Sequence, residues 1–401
     1  MRILAFFLCA STSLTCYAID AAPYRLPLNN AETIDTAKDH YSVSLLYGWV
    51  STEDTILQRI FSKTKDGTLQ LSVSNTFFDG DKIPSEQIVT LMDLKSNTDR
   101  PIAQTVSVAD RVPADIDTHL TVKLTINRDD TIGLVMKAIE STKADLPADT
   151  LAAPWIGYSK AVSSITKELF GTNKSNFPIY WTGDVKVVAA VGAPGLIKEH
   201  ILVVVSPRED GDAQFKALSA AKFSYSDAEQ RVLYDQKPLS GWSHLVFRVS
   251  KAEPVNIAQL MFESNAPWAV VARSQFLFLS VSGVENGQQL KALSENVGTQ
   301  LKSEIDLLNK EHRFSKYDRA LTLRHFADVA TTTIKAQCLR LKIDVMACPT
   351  SELQQFSENV AAYFGLQPTA RINQEIKDQA SILTGKVNSI ASIYKKRQGD
   401  I

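Results

Sequence analysis

The sequence is poor in the constellations that announce chemistry. Its six histidines, His40, His119, His200, His244, His312 and His325, are scattered singly, with no HExxH and no closely spaced pair. A zinc centre would therefore have to gather its ligands through the fold alone. Glu199-His200 and Glu311-His312 are adjacent in sequence, and neighbours on a strand or helix point apart, so neither is a ready dyad. GxSxG, GxxxxGK[ST] and GxGxxG are all missing, which removes the motif case for a nucleophile elbow or a phosphate cradle. Val191-Gly192-Ala193-Pro194-Gly195 has its proline in the wrong place for such a cradle. Ser-x-x-Lys matches such as Ser164 to Lys167 and Ser219 to Lys222 arise by chance in a chain this long, and the Lys-Thr-Gly strand that would support them is absent. No cofactor is expected.

Charge of one sign is missing too. Lysine and arginine number 43 against 44 acidic residues, a formal net charge of -1. A nucleic-acid binder would carry a basic excess or stripe, so nucleic acid is not an expected partner. No stretch approaches eighteen unbroken apolar residues, so no transmembrane helix is expected. Low-complexity linkers and internal repeats are absent as well.

What the sequence does have begins at its start. Arg2 precedes the apolar run Ile3 to Leu8, and a small polar stretch ends at Cys16-Tyr17-Ala18. That is the layout of a secretory leader cleaved after Ala18, and it places the protein in the periplasm or outside the cell. A lipid anchor at Cys16 is the weaker alternative, because Leu14 stands one place late and Thr15 is bulkier than that signal prefers. Two of the four cysteines leave with the leader. Cys338 and Cys348 remain, and in an oxidising space they read as one structural disulfide closing a small loop.

A chain of 401 residues exceeds what one core usually serves, and changes of hydrophobic period divide it. After the leader, 1–18, residues 19–38 carry two prolines and no period and read as an extended lead. Residues 39–207 read as an antiparallel β-sandwich-like domain. Leu69, Leu71 and Val73 alternate with polar residues after Asp66-Gly67, a hairpin turn signal, and Leu120 to Ile126 alternate likewise. Residues 154–172 read as a helical insertion. Ile201 to Val205 is apolar on both faces and so belongs at the centre of a sheet.

Residues 208–284 form a mixed α/β unit. It holds a hairpin at Phe223 to Tyr234, strands at Trp242 to Ser250 and Trp268 to Val281, and a short amphipathic piece at Ile257 to Phe262 that could also pack on the first sheet. Residues 285–401 switch to a helical period, with four helices and Ser351 as the cap of the third. The fold class is α+β: a β-sandwich-like region, a mixed unit, then a disulfide-clamped helical region.

Site candidates are correspondingly thin. Asp79, Asp81, Asp129, Asp130, Asp210 and Asp212 cluster in predicted loops between strands and could offer oxygens to Ca²⁺, although Asp-Gly turns recur for backbone reasons alone and outweigh that reading. Trp49, Trp155, Trp181, Trp242 and Trp268 all fall before residue 282 and could line a groove, but core positions are the commoner fate of tryptophan. Asn173-Lys174-Ser175 is a glycosylation sequon, and Lys395-Lys396-Arg397 a short basic tip. The balance favours a non-catalytic binding or assembly protein whose partner is another protein or an extracellular polymer. A hydrolase using the loop carboxylates, or a secreted effector, are the alternatives.

Overall fold

The computed structural model describes residues 21–50, 66–75, 85–91, 100–101, 106–116, 118–127, 179–185, 195–207, 213–239 and 241–399. The architecture is α+β, with antiparallel sheets followed by a helical region. The strands, in chain order, are β1 (Ala22–Pro27), β2 (Thr33–Asp35), β3 (His40–Val50), β4 (Asp66–Asn75), β5 (Ser85–Leu91), β6 (Arg100–Pro101), β7 (Val106–Pro113), β8 (Thr118–Asn127), β9 (Ile179–Asp184), β10 (Leu196–Lys198), β11 (His200–Val205), β12 (Phe223–Ser226), β13 (Arg231–Tyr234), β14 (Lys237–Pro238) and β15 (His244–Ala252).

The main sheet runs β1-β11-β15-β3, with β6 and β7 both on the far side of β3. A four-stranded sheet, β5-β4-β8-β9, shares a core with one face of it, where Tyr41, Val43, Leu45, Leu202, Val204 and Phe247 meet Leu120, Val122 and Trp181. The opposite face is covered by the small sheet β12-β13-β14, through Leu26, Ile201, Val203, Val205 and Val246 against Phe223, Val232, Leu239 and Trp242. All six residues of β11 are therefore buried, which is why that strand carries apolar residues at every position from Ile201 to Val205.

The sheet draws strands from both sides of Pro207, since β15 lies between β11 and β3. It also recruits the lead. Pro23 and Pro27 obscure any period there, yet β1 pairs with β11 at the sheet's edge, where a residue without an N–H is tolerated.

Asp66 and Gly67 are not a turn. They open β4 opposite Asn127 and Ile126, and ten consecutive pairs with β8 outweigh the local preference of the dipeptide. The expected other arm of that hairpin lies outside the described residues, as do the helix expected over 154–172, Trp155, the 173–175 sequon, and Ser164 with Lys167.

The helical region begins with α2 (Ile257–Glu263), after the short α1 (Ala213–Lys216). The strand expected at Trp268 to Val281 is instead α3 (Pro267–Val271), continued by a π turn over Ala272–Phe276. Pro267 sits at the first helical turn, and Trp268, Ala269, Ala272 and Phe276 are buried at helical rather than alternating spacing, so valines that favour strands are overruled.

The four long segments are α4 (Gly287–Asn309), α5 (Lys316–Arg340), α6 (Ser351–Glu358) with its continuation α7 (Val360–Tyr363), and α8 (Ala370–Gly399). Helix α5 is the hub, touching α4, α6, α7 and α8. Its apolar residues consequently spread around the helix instead of forming one stripe. Thr350, not Ser351, caps α6, and makes no side-chain cap bond; its carbonyl accepts the first helical bond from Gln354.

The Cys338–Cys348 disulfide closes the loop between α5 and α6, with Cα atoms 5.9 Å apart. That loop and the end of α5 hold Leu339, Val345 and Met346 out to solvent, Met346 at 93% exposure. Among the described residues no helix is long and apolar enough to cross a membrane.

Candidate functional site

A bulge creates the site. Along β3, Tyr47 faces Val246 and Leu45 faces Phe247, so Leu46 is an extra residue in the ladder. Successive strand residues normally point to opposite faces, yet here Leu46 and Tyr47 both pack on the outer side of the main sheet. Trp49 pairs with His244 two positions on, and Arg248 continues the same side of β15.

Over this floor stands the hairpin β12–β13. Its turn ends at Gln230, which adopts the left-handed region with φ 50°, a conformation that stores strain in a residue other than glycine. The tip between β13 and β14, Asp235-Gln236, has positive φ at both positions, as a two-residue hairpin turn requires. One hydrogen bond fixes the hairpin to the floor: the Val232 N–H donates to the Tyr47 hydroxyl at 2.8 Å.

Between floor and hairpin lies a cleft of about 480 Å³, within the range of small-ligand sites. Leu46, Tyr47, Trp49 and His244 line its base, and Tyr225, Asp227, Gln230 and Arg231 its wall, with Arg248 reaching it from β15. Tyr47, Trp49 and Tyr225 are half-buried, so each keeps part of its ring open. Arg231 is paired with Glu229 at 3.1 Å. Arg248 has no hydrogen bond or ion pair among the described residues. The Trp49 indole N–H is shielded from solvent and has no partner either. A buried donor without an acceptor costs about 1–3 kcal/mol.

Burial sets the titration of three groups in the cleft. Burial drops His244 to about 4, against the smaller opposing effect of its hydrogen bond to the Trp242 carbonyl. Its Nδ1–H donates to that oxygen at 2.8 Å, which fixes a neutral tautomer with Nε2 as acceptor. Burial pushes Tyr47 up to about 12, and it raises Tyr225 as well, helped by the charge of Asp227. Near neutral pH the cleft therefore offers aromatic surface, protonated tyrosine hydroxyls, a neutral imidazole and a guanidinium.

A second polar cluster lies where the sheet meets the helices. His40, at the start of β3, donates from Nε2 to the Arg313 carbonyl at 2.9 Å and lies 3.3 Å from Asp318 Oδ2. Ser315 caps α5 in a capping box: its hydroxyl donates to Asp318 Oδ2 at 2.8 Å, and its N–H donates to the same oxygen at 2.9 Å. Burial raises the Asp318 pKa, against the opposing effects of His40 and Ser315.

Serine, histidine and aspartate meet here, but Ser315 bonds to the carboxylate rather than to the imidazole, and all three are buried. No base faces a nucleophile, so the group is a joint and not a triad. Nearby Glu311 accepts from Trp268 Nε1 at 2.7 Å and from Arg313 Nε at 2.8 Å. Burial acts to raise its pKa, and Arg313 and Trp268 together bring it below the usual range.

The remaining candidates divide plainly. Asp79, Asp81, Asp129, Asp130, Asp210 and Asp212 lie outside the described residues. Trp181, Trp242 and Trp268 are core residues. Lys222 is bound to Asp235 at 2.7 Å, which raises its pKa, the opposite of what a lysine base beside Ser219 needs. His200 is held between the Lys198 and Val185 carbonyls, and His325 bonds Thr384. Among the described residues no three His, Cys, Asp or Glu side chains gather to hold a metal.

Sequence reasoning found Trp49 only as one of five tryptophans and missed Arg248 and Tyr47 altogether. The signal available was the aromatic and polar mixture on alternate residues of Tyr41 to Val50, which a purely core-facing strand would lack. No family model, no curated protein and no solved structure matches this chain.

Proposed function

We propose that this chain is an exported, soluble binding or assembly protein of the cell envelope or extracellular space, without catalysis, and that the cleft between β3, β15 and the β12–β13 hairpin holds its ligand. The observation that carries this reading is the Arg248 guanidinium, without a hydrogen bond or ion pair among the described residues, lining the cleft beside the half-buried rings of Tyr47, Trp49 and Tyr225. Export is supported by the leader-like start of the sequence and by the disulfide, a bond that persists in oxidising compartments. Assembly is supported by the apolar trio Leu339, Val345 and Met346 on the disulfide-closed loop.

The test places a photoreactive side chain at position 230, on the cleft rim, or at position 382, on an exposed turn of α8, in the exported chain. A partner or polymer captured reproducibly from 230 and not from 382 supports the reading. Capture from 382 alone, or from neither, removes the cleft as the binding site. N-terminal sequencing of the recovered chain checks export, with Ile19 the expected first residue.

A further inference from the structure

We infer that the cleft binds a linear saccharide carrying a carboxylate, with Arg248 receiving the acid group and the Trp49 end receiving a neutral ring; this rests on the binding reading above. The first argument is length. Trp49 pairs with His244, and Arg248 lies four residues further along β15. At about 3.3 Å per residue the backbone positions of Trp49 and Arg248 lie roughly 13 Å apart along the strand. A cleft with lining residues spread over that length suits a short linear chain. Tyr47 and Tyr225 occupy the interval between Trp49 and Arg248.

The second argument is what the cleft withholds. An extended peptide binds by adding main-chain hydrogen bonds to a free strand edge. Here β3 is paired with β15 on one side and, on the other, with β7 over His40 to Leu45 and with β6 at Trp49 and Val50. Strand β15 is paired with β11 and β3, and β13 with β12 and β14. The Val232 N–H is bound to Tyr47, and its carbonyl accepts from Leu239. Strands β15 and β13 are therefore paired on both sides, and the edges of the small sheet are β12 and β14. What remains are side chains: aromatic faces, which suit the apolar C–H face of a sugar ring, and Asp227, Gln230 and the neutral His244, which suit hydroxyl groups.

The third argument is charge. Arg231 is occupied by Glu229, so Arg248 is the cation of the cleft still open to a ligand. A guanidinium takes a carboxylate through two parallel hydrogen bonds, which gives orientation as well as attraction.

The experiment prints linear oligosaccharides bearing uronic acids beside their carboxyl-reduced counterparts, with aspartate-rich peptides on the same slide, and applies the full disulfide-bonded chain. The expected result is binding to acid-bearing saccharides at least about tenfold stronger than to the reduced forms, weakening with salt. Arg248→Gln should abolish that preference, while Trp49→Phe, which keeps a ring but removes the N–H, should weaken acidic and reduced forms alike by several-fold. Both variants are checked for an unchanged melting temperature.

Equal binding of acidic and reduced saccharides, or a preference that survives in Arg248→Gln, overturns the inference and leaves the binding reading standing. Selective binding of the peptides does the same. If no printed probe binds, the inference falls; the binding reading falls with it only if the photoreactive group at 230 also captures nothing.

Discussion

At the joint between sheet and helices, His40 Nε2 meets the Arg313 carbonyl at 2.9 Å, and both donors of Ser315 converge on Asp318. In the cleft, on the same strand β3, Trp49 Nε1 meets nothing, and Arg248 across the ladder is equally unengaged. The two places use the same kinds of residue, an arginine, a histidine, an aspartate and a ring N–H, and differ in whether the groups are matched to one another. Matched groups specify how layers join; unmatched ones beside open volume await a ligand.

The sharpest way to break this comparison is at the joint. Asp318→Ala removes the carboxylate on which both Ser315 donors converge, leaving the buried Ser315 N–H without its acceptor, while the Ser315 hydroxyl keeps only the Lys38 carbonyl at 3.3 Å and His40 the Arg313 carbonyl. It should cost about 3–5 kcal/mol in chemical denaturation, the usual effect of breaking a buried charged network from one side. A loss under about 1 kcal/mol would mean that the joint tolerates unmatched groups, and the contrast with the cleft would lose its meaning.

Being unmatched is not sufficient, and Glu304 shows why. This α4 residue is fully buried among the helices, both carboxylate oxygens lack partners, and burial raises its pKa to about 8. The folded state therefore holds a proton that the unfolded state gives up near the ordinary value of about 4.5. Where the folded form binds more protons, stability falls as pH rises. The loss begins near pH 4.5, is nearly complete by pH 8, and amounts to on the order of 5 kcal/mol. Glu304→Met should raise stability at pH 8 by about that amount and flatten this part of the pH profile. If denaturation curves of variant and parent differ equally at pH 5 and pH 8, Glu304 is not the neutral buried acid described here. Unlike Trp49, it does not line the cleft between β3, β15 and the β12–β13 hairpin.

The disulfide offers a comparison within the helical region. It closes a separation of 10 residues, for which chain entropy gives about 3 kcal/mol in the unfolded state. The paired change Cys338→Ser and Cys348→Ser should cost about 2–3 kcal/mol in global stability. It should also raise hydrogen exchange in 339–347 while leaving the cleft residues unmoved. Increased exchange spreading to β3 would show that the two regions are one cooperative unit.

How much of this was legible in the sequence follows from how local each feature is. The helical period from Leu290 to Leu308, the hairpin at Phe223 to Tyr234, the two-faced strand Ile201 to Val205 and the cysteine pair all announce themselves within a few residues. Trp268 to Val281 did not, because β-branched residues there occupy a helix whose burial is set by distant partners such as Phe314 and Phe326. The cleft was the least legible feature. Leu46, Tyr47 and Trp49 share a side with Arg248 only because a bulge shifts the register, and Tyr225 arrives from more than 170 residues away. Nor does any sequence pattern distinguish Glu311, whose acceptors are filled, from Glu304, whose oxygens stand alone.

The smallest expected effect is the one that most refines the comparison. Arg248 is exposed, bonds to nothing among the described residues, and follows a strand whose inward neighbours Phe247 and Val249 carry the packing. Arg248→Gln should therefore leave thermal unfolding within about 0.5 kcal/mol of the parent, as surface changes away from any network do. Measured beside Asp318→Ala, it separates a residue kept for folding from one kept for a partner. A destabilisation above about 1 kcal/mol would assign Arg248 to the structure of the sheet, and the case for the cleft as a binding site would then rest on Trp49 alone. Little change in stability, with lost preference for the acidic saccharide, is the combination that a residue held in reserve for a ligand must give.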